Sequence, residues 1–353
     1  MRFDRHRLSL ARRWKGLRKL DLAQAAGVSP AAITQYELGQ ARPSPRVLAA
    51  LALRLGMPVS FFEPGRPIAP HDLSGAHFRS LRSTTQAVRQ QALAWGELTW
   101  EVAQAVERYV RLPKMVVPEL AAPQFGDLAG VEATAQLVRQ SLGVKTGPVP
   151  NMVRLLESRG VLVTRLTDTV RDVDAFSHRF PERPMVLLNP AKGDAARARL
   201  DAAHELGHLV MHHDADPGGK ELERQAQAFA GAFLAPADEI ADELPRRADW
   251  ERLITLKRRW GMSIAALLYR SRELGILRDV TYRNAMMTMS SRGWRIDEPG
   301  DLGQPEAPNL FGQAMERITA RNITIHDLAN DCRLPEELVL QILEQGSAEE
   351  VSA

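Results

Sequence analysis

The chain holds a single cysteine, Cys332, in 353 residues, so no intrachain disulfide can brace it, and a reducing compartment is expected. No apolar run approaches the roughly 20 residues that a membrane helix requires. The opening stretch, MRFDRHRLSLARRW, is charged throughout and lacks the apolar segment of a secretory signal. No internal repeat or low-complexity run stands out. What is present is 44% hydrophobic and 25% charged residues, an ordinary globular balance, in a chain too long for one core. Two or three domains are expected, in the cytoplasm.

Charge is unevenly placed. Residues 1–66 hold 12 Lys/Arg against 4 Asp/Glu, a net of +8, which leaves −5 for the remainder of a chain whose total is +3. A basic end on a mildly acidic body points to a polyanionic partner for that end. Leu8, Leu10, Ala11, Trp14 and Leu17 form the apolar stripe of a first helix. A second runs from about Leu20 to Ala26 and is closed by Gly27. Ser29-Pro30 opens a third over Ala31–Leu38, ended by Gly39, and Ser44-Pro45 opens a fourth over Val47–Leu55, ended by Gly56. Two short helices joined through Gly-Val-Ser have helix-turn-helix geometry, whose second helix enters the major groove of double-stranded DNA.

The stretch LAQAAGVSPAAITQYELGQARPS resembles the Xre/Cro-like repressors. The resemblance implies that Ala31, Ala32, Thr34 and Gln35 lie on the groove-facing edge, with Thr34 and Gln35 bonding base edges, and that Arg42 and Arg46 meet phosphates. Where that family opens its second helix with Thr-Gln, this chain has Arg18-Lys19, plain charge in place of a backbone-clamping amide. The plainer alternative is a helical interaction domain with a solvated basic face.

A second constellation is His204-Glu205-Leu206-Gly207-His208, followed by Glu223. Histidines four apart on a helix project from one face, so both imidazoles can reach one divalent ion. Glu205 leans into the same cleft, placed to take a proton from water on that ion, the HExxH arrangement. Leu200, Leu206, Leu209, Val210 and Met211 make the helix half buried. A Pro-Gly-Gly turn at Pro217, Gly218 and Gly219 stops it. A second helix beginning near Glu221, packed antiparallel, can swing Glu223 back as third ligand, leaving the fourth position to water. The plain alternative is a surface helix with solvated histidines.

The run HELGHLVMHH and then ExQAxxFAxxFLAP resembles the ImmA/IrrE metallopeptidases. The resemblance implies His204, His208 and Glu223 as zinc ligands, manganese being the other candidate ion, and Glu205 as general base. Gln227 stands where Asn or Asp is usual and Ala235 where Met is usual. Glu221 is the fallback ligand should the second helix sit in another register.

Between these motifs, residues 63–84 read as a Pro/Gly/Ser-rich linker. A long helix from Thr85 to about Arg111 follows, connecting the halves, packing on the body or pairing with a copy of itself in a homodimer. Helices near 131–142 and 150–159 precede strands at 160–166, 173–178 and 184–189. The strand nearest the active-site helix is expected to hold an extended peptide by edge pairing. His178 or Arg179 is a candidate oxyanion stabiliser, and His212 lies one turn past His208. Beyond Pro236 the chain reads as helical again, including a final pair at 325–330 and 335–343.

The expected fold class is mainly α with a small β-sheet, α+β. It divides into a helix-turn-helix domain at 1–66, a linker and connecting helix at 67–128, a zincin-like peptidase domain at 129–245 and a helical region at 246–353. The expected function is a nucleoid-associated, DNA-binding transcriptional regulator with a zinc-dependent endopeptidase domain. By resemblance its substrate is a repressor protein, cut under stress or during mobile-element induction. A cut in the chain's own linker is a variant. The alternatives are a non-proteolytic transcription factor whose peptidase-like domain senses a metal, ligand or partner, and a metal-free scaffold.

Overall fold

The computed structural model describes residues 2–65, 77–78, 85–191, 194–213, 215 and 219–347. Four helices come first: α1 (Arg5–Trp14), α2 (Lys19–Ala26), α3 (Pro30–Leu38) and α4 (Pro45–Leu55), then a 3-10 turn at Val59–Phe62. The start signals act as read: the Ser29 hydroxyl accepts from Ala32 N–H and Ser44 from Val47 N–H. Gly27, Gly39 and Gly56 close helices in the left-handed region, where a side chain would be strained.

A two-residue strand β1 (His77–Phe78) precedes the long helix α5 (Gln86–Glu107), and α6 (Leu128–Ser141) and α7 (Met152–Ser158) follow. Next come β2 (Leu162–Arg165), β3 (Phe176–Arg179), β4 (Pro184–Leu188) and the helix pair α8 (Ala195–Met211) and α9 (Lys220–Leu234). The chain then runs through α10 (Ala237–Ile240), α11 (Trp250–Trp260), α12 (Ile264–Glu273), α13 (Asp279–Ser291), α14 (Leu310–Thr319), α15 (Ile325–Cys332) and α16 (Glu336–Gln345). The fold is α+β, helices around one small sheet.

The sheet order is β1-β3-β4-β2, with β2 parallel to β4 and the other two pairings antiparallel. Strand alternation sends its side chains into two separate cores. Leu162, Phe176, Met185 and Leu187 face the core that contains α5, whereas Val163, Val186 and Leu188 face the core of α6 to α9 and α11 to α13. The sheet is therefore a partition, with α5 on one side and the HExxH helix α8 on the other.

α5 is buried over most of its length from Ala92 to Val106 because three bodies pack on it. Trp95 donates its indole N–H to the Arg165 carbonyl (3.1 Å), and the Trp100 ring stacks on Phe180 at 5.4 Å. From the helix-turn-helix side, Arg13 pairs with Glu97 (2.8 Å) and Arg7 pairs bidentately with Glu101. From the C-terminal side, Asp331 accepts from the Tyr109 hydroxyl (2.9 Å) and pairs with Arg108 (3.0 Å). Burial pushes the Glu97 carboxyl up, and the Arg13 guanidinium opposes it. Such pairs hold a buried charge tolerable only while both partners stay. The apolar stripe that suggested self-pairing of this helix is thus used within one chain.

The described residues beyond 245 divide between the two cores: α11 to α13 join the α8/α9 side, and α14 to α16 join the α5 side. The joint between them runs through Glu157 on α7, whose carboxylate accepts the N–H groups of Asn309 and Leu310 (2.9 Å each) at the start of α14. Burial pushes this carboxyl up to about 7, against the lowering by those two N–H groups. The unfolded chain releases that proton at a lower pH than the folded one. Its contribution to stability is therefore full below the ordinary carboxylate pKa and lost as pH rises through about 7. Glu157→Gln should remove this dependence: the melting temperature of the wild type minus that of the variant should fall by a few degrees between about pH 5 and pH 8. A flat difference would contradict it.

Candidate metal centre

α8 begins at Asp194, whose side chain accepts from Arg197 N–H. It passes between the sheet and α9, so that residues 201–211 are buried. α9 lies against it at close range. A Cβ built on Gly207 would sit 2.9 Å from the Phe229 ring, so glycine at the centre of the HExxH sequence lets the two helices approach. The connection between them holds Pro217 and Gly218, which lie outside the described residues, while Gly219 is the residue before α9. The register places Glu223 on the histidines. Glu221 instead pairs with Arg224 at 3.1 Å.

His204 Nε2 and His208 Nε2 are 3.1 Å apart, and the Glu223 carboxylate oxygens lie 3.3 Å from the first and 3.4 Å from the second. Three ligand atoms around a tetrahedral ion at about 2.0–2.1 Å would be about 3.3–3.4 Å apart. The triangle therefore has the size that one zinc-like ion needs. Among the described residues these three are the group of His, Cys, Asp or Glu that lies close enough together to hold a metal ion. The charge states agree with the geometry. Burial pushes His208 down to about 4, Glu223 opposing and His204 adding to the shift, so its ring is neutral near pH 7. Burial lifts the Glu223 carboxyl, but the neighbouring His204 and His208 outweigh this and hold it well below the usual carboxylate range. Two imidazoles and one carboxylate form a donor set suited to a divalent cation.

A chain of hydrogen bonds settles which nitrogen of His208 faces that triangle. The Gln225 amide nitrogen donates to the Pro123 carbonyl (2.7 Å), so its oxygen is the atom 3.1 Å from His212 Nε2. His212 must then donate from Nε2 and accept at Nδ1, which lies 3.0 Å from His208 Nδ1. His208 therefore carries its proton on Nδ1 and keeps the Nε2 lone pair for the cation. His212 was legible as a neighbour one turn on. Gln225 was missed, because only packing brings α9 and the Pro123 loop together.

Ser177 on β3 was also missed. Its hydroxyl donates to Glu205 Oε2 at 2.7 Å, which fixes the carboxylate of the candidate base. Alternation turns the next residue, His178, to the opposite face of the sheet, where its ring meets Phe180 edge-on at 4.7 Å. This removes His178 from the oxyanion role. The Arg179 guanidinium is engaged by the Leu209 carbonyl (2.9 Å) and Glu119 (2.7 Å). The catalytic-type cluster is closed to solvent: Glu205 is 0% exposed and each histidine 1%, whereas the Glu223 side chain is 24% exposed.

On the helix-turn-helix domain, Ala31, Gln35, Arg42 and Arg46 are exposed, and Ala32 and Thr34 are half-buried. Lys19 bonds the Thr34 hydroxyl (3.2 Å) and pairs with Glu37 (3.3 Å), and Arg18 pairs with Asp21 beside it (2.8 Å). Ala31 and Gln35, four apart on α3, lie on one face of that helix. Lys19 and Arg18 are partly committed within the domain.

Residues 8–62 match the helix-turn-helix family model, and residues 156–272 match that of the IrrE N-terminal-like domain. The second match spans β2 to α12 and includes His204, Glu205, His208 and Glu223. No curated protein matches the chain.

His212→Ala leaves the triangle intact but frees the His208 ring. It should weaken zinc affinity by about 10- to 100-fold, measured by competition with a chromophoric chelator. Unchanged affinity would show that the His212–Gln225 chain does not orient His208.

Proposed function

From a chain that joins a helix-turn-helix domain to an IrrE N-terminal-like peptidase domain, we propose a DNA-binding transcriptional regulator whose second domain is a zinc-dependent endopeptidase acting on a repressor protein. The observation that carries the hydrolase reading is the triangle of 3.1, 3.3 and 3.4 Å formed by His204, His208 and Glu223. These three residues would hold the ion. Two imidazoles with one carboxylate favour zinc over manganese, which prefers oxygen donors. When bound, zinc acidifies a water at its open position and polarises a peptide carbonyl.

The chain's own residues supply the rest. Glu205, its carboxylate steadied by Ser177, takes a proton from the attacking water and passes it to the leaving amine. β3, which presents Ser177 to that base, is the strand along which an extended substrate would pair. Gln35 and Thr34 would read bases, and Arg42 and Arg46 would bind phosphates. Such a protein would work on the nucleoid in the cytoplasm.

A second reading has one observation in its favour. Glu205 and both histidines are shut from solvent, and α5 ties the helix-turn-helix domain to the sheet beside them. A body built in this way could sense a metal or ligand and pass the change to DNA without cutting anything. Glu205→Gln separates the two. It should retain zinc but abolish cleavage of a helix-turn-helix repressor, followed by mass spectrometry of the fragments, and abolish the transcriptional response. A response that survives the substitution leaves the sensor reading.

DNA contact is tested independently. Gln35→Ala should cost about 1–3 kcal/mol on the preferred operator and relax selectivity at one base pair. Arg46→Ala should instead weaken binding to all sequences and reduce the salt slope by about 1. Fluorescence anisotropy titrations at several salt concentrations distinguish these outcomes, and equal loss for both variants on all sequences would exclude base reading by Gln35.

A further inference from the structure

The outer edge of β3 is not open. β1 pairs with it antiparallel, His77 opposite Ser177 and Phe78 opposite Phe176. Ser177 is the residue whose hydroxyl holds Glu205. His77 and Phe78 thus pair along the sheet edge directly opposite the residue that contacts the candidate base, where an extended peptide would pair.

The connector is not needed there to hold the domains together. The helix-turn-helix domain docks on α5 through α1 itself, by Arg7–Glu101, Arg13–Glu97 and a hydrogen bond from the Gln91 amide to the Trp14 carbonyl (2.9 Å). Arg7 also bonds the Phe61 carbonyl (3.3 Å) and lies over its ring, so the end of that domain sits beside Glu101. From Glu101 back to Thr85 at the start of α5 is about 24 Å at helical rise. About seven extended residues would span this, and the chain has all of residues 64–84. The excess length is what allows it to reach β3.

We propose that the outer edge of β3 is a peptide-docking site whose resident is the segment containing His77 and Phe78, an intramolecular competitor that an incoming extended polypeptide must displace. This rests on the reading of the neighbouring site as a peptidase. A tethered segment acts at an effective concentration on the order of 1 mM. With an intrinsic affinity on the order of 0.1 mM, it would hold the edge about ten to one and lower the apparent affinity of a competitor about tenfold.

The test uses the zinc-loaded full chain and an extended tripeptide hydroxamate as probe. Hydrogen exchange at the one amide of His77 and Phe78 that points at β3 should be slowed about tenfold in the wild type and return to the intrinsic rate when the probe saturates. H77P/F78P, which removes both N–H donors of β1, should bind the probe about tenfold tighter, whereas H77A/F78A, which keeps the donors, should stay near wild type. Absence of that protection in the wild type, or a proline variant that binds no tighter, would overturn the proposal. So would a zinc-dependent cut within the connector that Glu205→Gln abolishes, since a consumed segment is a substrate and no standing competitor. If the exchange and affinity results hold while neither protein cuts any peptide, the docked connector stands and the endopeptidase reading alone falls.

Discussion

The approach of α8 to α9 at Gly207 and Phe229 is the constraint on which the candidate metal centre depends. With no side chain at Gly207, the two helix backbones come close enough for the Glu223 carboxylate to reach both imidazoles. A methyl group there would push into an aromatic ring that is itself fully buried. Interiors packed this tightly convert one extra carbon into a displacement of the helix. The metal triangle is therefore a consequence of helix packing as much as of its three residue types.

α5 plays the corresponding part for the whole chain. Helices in proteins owe most of their stability to packing rather than propensity, and the faces of this 22-residue helix are divided among the helix-turn-helix domain, the sheet and the C-terminal helices. Glu97 and Glu101 are the cost of that arrangement, two carboxylates in a nearly dry interface. Each is tolerated because an arginine from α1 reaches it. Because the same helix lies on the sheet whose other face carries α8, the DNA-reading domain and the candidate metal centre are separated by one helix and one sheet. This places the helix-turn-helix domain and the candidate metal centre within mechanical reach of each other.

The sequence was most informative where a short-range rule applies. Ser-Pro starts and Gly stops define α3 and α4, and the i, i+4 histidines lie on one face because helical geometry requires it. Glu223 was legible because the second helix is strongly patterned. The long helix was equally legible, but its partner was not: an apolar stripe says that a face is covered and leaves open by what. His178 shows the opposite limit. Its residue type suited an oxyanion role, and the strand phase, decided by how β3 pairs with β4, turned it to the wrong face.

Local chemistry and spacing along the chain thus determined where the helices start and stop and which side chains share a helix face, and so which residues are candidates to bind an ion, move a proton or meet DNA, since capping, periodicity and ligand type act within a few residues. The tertiary structure alone decided that Ser177 steadies Glu205, that Gln225 sets the His208 tautomer through His212, and that β1 closes the sheet edge. Each of these contacts joins residues from different elements, up to 102 positions apart for Gln225 and Pro123. The free energy that brings them together comes from the two cores between them, which no local pattern records.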